Sequence, residues 1–335
     1  MSEKIRVLVV DDSDLRRKVL KSILESDPSI EVVGTAKDGK EGVEKALSLK
    51  PSVITMDLQM PVMSGIEAIE KIMQELPTPI IVASAMEIRV IVKALSIGAM
   101  DFVSITRGPE EIAKDLIEKV KIASRVRPVR RMKIKPKPVP SKKRAKKGGR
   151  FGVVAIGVST GGPQSLHTVL SGLPADFPAG ILIVQHMSRG FIGGLAELLT
   201  QDSCLDVRVA KVGDVLRSAT VLFAPDDYDM KLDGNAKISL SEDKSGTMLH
   251  VPSIDVMMES VAASCGENAV GVIMTGMGRD GVQGMRSIKR AGGTTIAQDE
   301  RTSAIFGMNK AAIRAGCVDK IIPLDKIADG IRSSL

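Results

Sequence analysis

The sequence contains no tryptophan and one tyrosine, and aromatic residues make up only 2% of it. Without aromatic platforms bases cannot be stacked in series, which argues against a single-strand nucleic-acid binder. Any core must be aliphatic and methionine-filled. Cysteine is equally sparse. Cys204, Cys265 and Cys317 are dispersed, odd in number and without Cys-x-x-Cys spacing, which argues against a disulfide framework or a thiolate zinc site and reads as three buried thiols. Long apolar runs are missing too. The N-terminus offers only IRVLVV ahead of Asp11 and Asp12, and no later stretch reaches the roughly 20 residues a spanning helix needs. Neither a signal peptide nor membrane insertion is expected, and the expected location is cytoplasmic.

Basic charge is present but confined. The net charge is +7, yet residues 125–150 carry thirteen Lys or Arg and no acid, leaving 34 basic against 40 acidic residues elsewhere. The folded remainder is therefore mildly acidic, and no nucleic-acid partner is expected. The basic stretch reads as a solvated linker, with a docking site for an acidic protein or nucleic acid as the alternative.

A chain of 335 residues is about twice the length of a common domain, so two domains are expected. From 5 to 124 the apolar runs IRVLVV, EVVGTA, SVITM, PIIVAS and DFVSI alternate with segments of helical period, such as 65–76. Five βα units of this kind imply a parallel sheet. Residues 125–150 lose the periodicity and fill with Pro, Lys and Arg, the composition of an extended, flexible linker. Alternation then resumes: FGVVAIG, a helix from about 163, GILIVQ, a helix from about 191, TVLFAP, and a hairpin at KLDGNAKISL with Asp-Gly as its turn. A helix over about 255–266, strand AVGVIM, a helix from 280, strand TTIAQ and a last helix follow. The expected fold class is α/β, with two doubly wound parallel-sheet domains at 1–124 and 151–335.

Asp11 and Asp12 end the first strand, and Asp57 ends the third within VITMDLQMP. Parallel strands bring their carboxyl ends to one edge, where ligands bind. Three carboxylates gathered there repel one another unless a hard cation such as Mg²⁺ lies between them. With the cation in place Asp57 can attack a phosphoryl donor, and Ser84, closing the fourth strand on the same edge, can bond a phosphoryl oxygen. The plainer alternative is that Asp12 or Ser13 caps the next helix.

The Asp pair, a central Asp followed by MP and SG, and a Ser ending the fourth strand together resemble the receiver domain of two-component response regulators, whose fold is flavodoxin-like. The resemblance covers residues 4 to about 124. It implies that Asp57 accepts phosphate from a histidine kinase, with Mg²⁺ held by Asp11, Asp12 and Asp57. Receivers also carry a Lys, usually before Pro, just after the fifth strand's aromatic. Here DFVSITRG puts Ile105 and Thr106 in those places. Arg107 is expected to substitute, since two residues along a strand return a side chain to the same face.

In the second half, Gly157-Val158-Ser159-Thr160-Gly161 fits G-x-S-x-G. That pattern serves an exposed serine nucleophile, a phosphate-binding turn or a plain strand-to-helix turn. A nucleophile needs a base, and the chain has three histidines. His167 lies eight residues after Ser159, within the following helix, which carries it away from the turn. His250 precedes VPSIDV in a loop and stays open. His186 ends the strand GILIVQ on the same edge as Ser159 and is the strongest candidate. A carboxylate to fix the imidazole tautomer is available from Asp280, in VIMTGMGRDG, with helix capping as its alternative role. The order Ser, His, Asp departs from that of α/β-hydrolases.

IGVSTGGP, VQHM, VPSIDV, TGMGRDG and AQDERTSAIFGM resemble the catalytic domain of chemotaxis protein-glutamate methylesterases over residues 151–335. The resemblance implies Ser159 as nucleophile, His186 as base and Asp280 as acid. Thr160 and Met277 match positions lining the site and its oxyanion pocket. It further implies hydrolysis of glutamyl γ-methyl esters, and deamidation of glutamines, on methyl-accepting chemotaxis receptors. No cofactor is needed for that hydrolysis. A smaller departure falls at His250-Val251, where the family often has Arg-Pro-Ser. Two other classes remain as alternatives: a non-catalytic regulator acting through the linker, and a general esterase with an unrelated small substrate.

Overall fold

The computed structural model describes residues 4–105, 108–126, 152–242 and 251–335. They form two compact units, one on either side of the stretch 127–151. Most of the basic linker expected at 125–150 therefore lies outside the described residues.

The first unit runs β1 (Ile5–Val10), α1 (Asp14–Glu25), β2 (Ile30–Ala36), α2 (Gly39–Leu49), β3 (Val53–Met56), α3 (Gly65–Glu75), β4 (Ile80–Ser84), α4 (Ile88–Ile97), β5 (Asp101–Ser104) and α5 (Pro109–Ala123). Its strands are all parallel, in the order β2-β1-β3-β4-β5. Helices cover both faces of such a sheet, so the central strands are apolar throughout rather than alternating. Val7, Leu8, Val9, Ile54, Ile80 and Ile81 are completely buried. On one face Leu20 and Leu24 of α1 and Leu116 and Val120 of α5 pack against Val7, Val9, Ile81 and Val103. Local chemistry sets the helix starts. Ser64 and Glu67 form a reciprocal capping box at α3, and Ser13 accepts from the Arg16 backbone N–H to cap α1.

The second unit runs β6 (Val153–Val158), α6 (Gly162–Ser171), β7 (Gly180–Gln185), α7 (Ile192–Asp202), β8 (Asp206–Val209), β9 (Thr220–Phe223), β10 (Asp229–Leu232) and β11 (Ile238–Ser241). It continues through α8 (Ile254–Cys265), β12 (Ala269–Ile273), α9 (Val282–Arg290), β13 (Thr294–Gln298), α10 (Met308–Arg314), β14 (Lys320–Ile322) and α11 (Ile327–Arg332). Seven parallel strands are ordered β14-β13-β12-β6-β7-β9-β8. The chain enters at β6, builds outward through β7, then returns to the other side of β6 with β12. The strand order thus reverses at β6, where an open α/β sheet leaves a crevice at its carboxyl edge.

The expected α/β architecture stands, with local differences. Strands β8 and β14 were not anticipated, because short, partly exposed edge strands carry no continuous apolar run. The β10–β11 hairpin turns through Asp233–Lys237, where the Asp233 carboxylate accepts from the Asn235 and Lys237 N–H groups and the left-handed residue is Ala236. Asp233-Gly234 thus open the turn as expected, within a loop longer than two residues. The last helix is divided into α10 and α11. Of the three thiols only Cys317 is buried; Cys204 is exposed and Cys265 partly so.

Leu24 sits fully buried where α1 meets α5. Leu24→Ala is expected to cost the first unit about 2–5 kcal/mol, read as a fall in its urea midpoint while the second unit's transition stays put. An unchanged midpoint contradicts this packing.

Candidate active site and acidic cluster

In the first unit the strand ends deliver Asp11, Asp12 and Asp57 to one place, one carboxylate oxygen of each lying within 4.8 Å of the others. Asp11 and Asp57 are buried and Asp12 is exposed. Asp57 Oδ1 accepts from the Ser84 hydroxyl at 2.8 Å and from the Leu58 N–H at 2.7 Å. Its other oxygen faces Arg16. The Arg16 guanidinium spans the whole cluster: Nε lies 2.9 Å from both Asp11 oxygens, and Nη2 lies 2.7 Å from Asp12 and 3.0 Å from Asp57 Oδ2. Burial pushes the Asp11 carboxyl up from its usual range, opposed by the Arg16 hydrogen bond and the Ser13 N–H.

Three carboxylates converging from one side suit a hard divalent cation, and a guanidinium seated among them shows that the position attracts positive charge. The pocket above it, of about 410 Å³, is lined by Asp12, Ser13, Arg16, Asp57, Ser84 and Ile105, among others. Ile105 brings no charge there. Thr106 and Arg107 lie outside the described residues. Sequence reasoning passed over Arg16, which lies in the first turn of α1, just after the Asp11-Asp12 pair.

In the second unit, strand register brings the candidate residues together. Val158 pairs with Gln185 across β6 and β7, and Gly157 pairs with Ile273 across β6 and β12. Ser159 and His186 are the next residue of each strand, so their backbones lie side by side at the roughly 5 Å strand spacing. The His186 N–H donates to the Val158 carbonyl at 2.9 Å and the Ser159 N–H to the Thr275 carbonyl at 3.0 Å. Buried Gln185 cross-links the pair, its Nε2 donating to the carbonyls of Ser159 at 2.9 Å and His186 at 2.8 Å.

The turn after Ser159 is tight. The Gly162 N–H returns to the Ser159 carbonyl at 2.8 Å, and Gly161, at φ 77°, takes the left-handed conformation that a side chain would oppose. Across β12, Gly276 comes so near that a Cβ built on it would sit 2.6 Å from Ser159 Cβ. Thr275 ties this wall together: its hydroxyl donates to the Thr160 carbonyl at 2.9 Å and accepts from the Ile305 N–H at 3.0 Å, and its own N–H donates to Gln298 at 2.9 Å. Met277 stands at the rim, exposed.

Asp280 is held elsewhere than helix-capping arithmetic suggests. The cap of α9 is Gly281, whereas the Asp280 carboxylate reaches the N-terminus of α8. There it accepts from Ile254 N at 2.8 Å, Asp255 N at 3.0 Å and Ser253 Oγ at 3.2 Å, with Gly281 N at 3.0 Å. His186 Nε2 lies 3.0 Å from Asp280 Oδ2. Burial works to raise the Asp280 carboxyl, but the His186 contact and the Ile254 and Asp255 N–H groups outweigh it and hold it below the usual carboxylate range. His167 instead pairs with Asp202 at 3.0 Å, between α6 and α7, and His250 lies outside the described residues. Gln185, Thr275 and the α8 N-terminus escaped the sequence reading; a glutamine closing the apolar run GILIVQ was the one available signal.

One parallel-sheet unit with an acidic cluster at its strand ends, followed by a second with Ser, His and Asp gathered at its switch point, defines a response regulator carrying an α/β output domain. Comparison with known proteins agrees. The family model for the response regulator receiver domain matches residues 7–117, and that for the CheB methylesterase matches residues 154–331. A protein-glutamate methylesterase/protein-glutamine glutaminase of Symbiobacterium thermophilum is 43% identical, covering 98% of this chain and 96% of its own. A protein of the same name from Pyrococcus horikoshii is 44% identical, covering 99% and 94%. The crystal structure of the Thermotoga maritima CheB methylesterase catalytic domain superposes with TM-score 0.53 at 37% identity, over 56% of this chain and 100% of that one. The chain belongs to the CheB methylesterase family.

Because the folded Asp280 carboxyl titrates below its ordinary value of 3.8, the folded state binds fewer protons there than the unfolded one. Its contribution to stability is thus complete above that value and fades as pH falls through the lowered folded pKa. Asp280→Asn is expected to flatten the acid limb of the second unit's stability profile; an identical limb in the variant contradicts the assigned contacts. Gly276→Ala, whose Cβ would press on Met308 Sδ at 2.4 Å as well as on Ser159 Cβ at 2.6 Å, is expected to lower esterase kcat by about tenfold or more, since misplacement by an ångström can cost about a hundredfold; full activity contradicts a rigid wall.

Proposed function

We propose that the chain is a phosphorylation-regulated serine hydrolase that cleaves glutamyl γ-methyl esters, and deamidates glutamines, on chemoreceptors. In this reading residues 1–124 are the receiver, 125–150 the basic linker and 151–335 the catalytic domain. The observation that carries the reading is the arrival of Ser159, His186 and Asp280 from three separate segments at one switch point.

His186 takes the proton of Ser159 as the serine oxygen attacks the ester carbonyl carbon. Electrons of the carbonyl move onto its oxygen, where backbone N–H groups near Thr160 at the start of α6 and the adjoining Met277 segment stabilise the oxyanion. Ionised Asp280 stabilises the imidazolium without taking its proton. Collapse breaks the bond to the methoxy group, which leaves as methanol with the proton from His186. Water, deprotonated by His186, then attacks the acyl-enzyme, freeing the glutamate carboxylate and restoring Ser159. With a glutamine substrate the same steps release ammonia. No cofactor enters this sequence.

In the receiver, Asp11, Asp12 and Asp57 would hold Mg²⁺, which when bound offsets the charge between Asp57 and the incoming phosphoryl group. Ser84, bonded to Asp57 Oδ1, stands beside the carboxylate as a phosphoryl-oxygen donor. A chemotaxis histidine kinase is the phosphodonor, and phosphorylation raises esterase activity by shifting the population towards an active state. The proposed place of action is the cytoplasm, on the cytoplasmic side chains of receptors; among the described residues no helix is long and apolar enough to cross a membrane.

Methanol release from methylated receptor membranes tests the reading. Ser159→Ala is expected to reduce it by about 10³-fold or more, and a small phosphodonor is expected to stimulate the wild type but not Asp57→Asn. Release unaffected by Ser159→Ala overturns the assignment.

A further inference from the structure

Asp57 has one oxygen occupied by Ser84 and the Leu58 N–H, and its second is covered by Arg16 Nη2 at 3.0 Å. The same guanidinium also contacts Asp11 and Asp12, so it sits among all three carboxylates that a divalent ion would bridge. A cation held by these three carboxylates would compete with this side chain for them. Arg16 is tethered to α1 with its side chain 41% exposed, so it can swing into solvent without disturbing the core. Its neighbour Arg17 differs: its guanidinium bonds the Asp11 backbone carbonyl and Asp14 and touches none of the three carboxylates.

We propose that Arg16 is a built-in counter-cation that occupies the receiver's metal position and must be displaced before a divalent ion binds there and Asp57 can meet a phosphoryl donor. Three acidic groups facing one guanidinium retain an excess of negative charge, so a divalent ion still enters. It does so against a competitor whose effective concentration is fixed by the tether. The receiver therefore loads at a higher Mg²⁺ concentration than the carboxylates alone would set, and phosphorylation acquires a metal threshold. The proposal rests on reading this unit as the phosphoryl acceptor.

Titration calorimetry of the full chain with Mg²⁺ alone tests it, independently of esterase activity. Arg16→Met is expected to bind Mg²⁺ about tenfold or more tightly than the wild type, a gain matching the loss of several partly exposed ion pairs. Arg16→Lys, which keeps the charge but not the fork, should fall between. Arg17→Met should stay within about twofold of the wild type. Equal Mg²⁺ affinity in wild type and Arg16→Met, or equal gains in Arg16→Met and Arg17→Met, overturns the displacement step while leaving the metal site intact. If neither the wild type nor Arg16→Met binds Mg²⁺, the metal site itself fails and the proposal with it. Far-ultraviolet circular dichroism identical across the four proteins excludes a folding defect as the source of any difference.

Discussion

A carboxylate taken out of water between the N-terminus of α8 and the ring of His186 organises the catalytic unit. Removing an ion from solvent costs several kcal/mol, and here the cost is offset by backbone and hydroxyl donors from Ser253, Ile254, Asp255 and Gly281. The positive end of the α8 dipole adds to them. Asp280 is thus fixed by the start of one helix and in turn fixes a ring that closes a strand. The loop after β12, helix α8 and the end of β7 are held in one arrangement by a single side chain.

That arrangement is useful only because the sheet supplies the third group next door. Strand order reverses at β6, so its carboxyl end faces a crevice flanked by β7 on one side and β12 on the other. Ser159 emerges there with Gln185 bracing it towards His186 and Gly276 allowing β12 to press against it. Small or polar residues at these places are close-approach requirements. The same edge of the first sheet gathers Asp11, Asp12, Asp57 and Ser84, so parallel topology serves two different chemistries by one geometric rule.

The legible part of the fold was the part written in unbroken apolar runs. IRVLVV and GILIVQ are strands over the residues expected, because strands buried on both faces are apolar along most of their length. DVRV and KII, at the sheet edge, carry no such signature. For the site, strand ends were enough to nominate Ser159 and His186, since a short apolar run ending in a polar residue marks the edge where ligands bind. What held Asp280 was not readable: its donors at Ile254 and Asp255 lie some 25 residues earlier and act through backbone N–H groups that have no sequence identity. Arg16 was hidden for a different reason. A basic residue in the first turns of a surface helix reads as solvated until tertiary structure folds Asp11 and Asp57 over it.

The site's chemistry turns on which ring nitrogen of His186 carries the proton. With Asp280 facing Nε2, the neutral ring should hold its proton on Nε2 and keep Nδ1 as the lone-pair nitrogen that receives the Ser159 proton. Two-bond ¹H–¹⁵N correlation spectra of the selectively labelled protein read this directly. A protonated Nε2 with an unprotonated Nδ1, lost as a single preferred tautomer in Asp280→Asn, is the expected result; a ring protonated on Nδ1 in the wild type would contradict the role given to the Asp280 carboxylate.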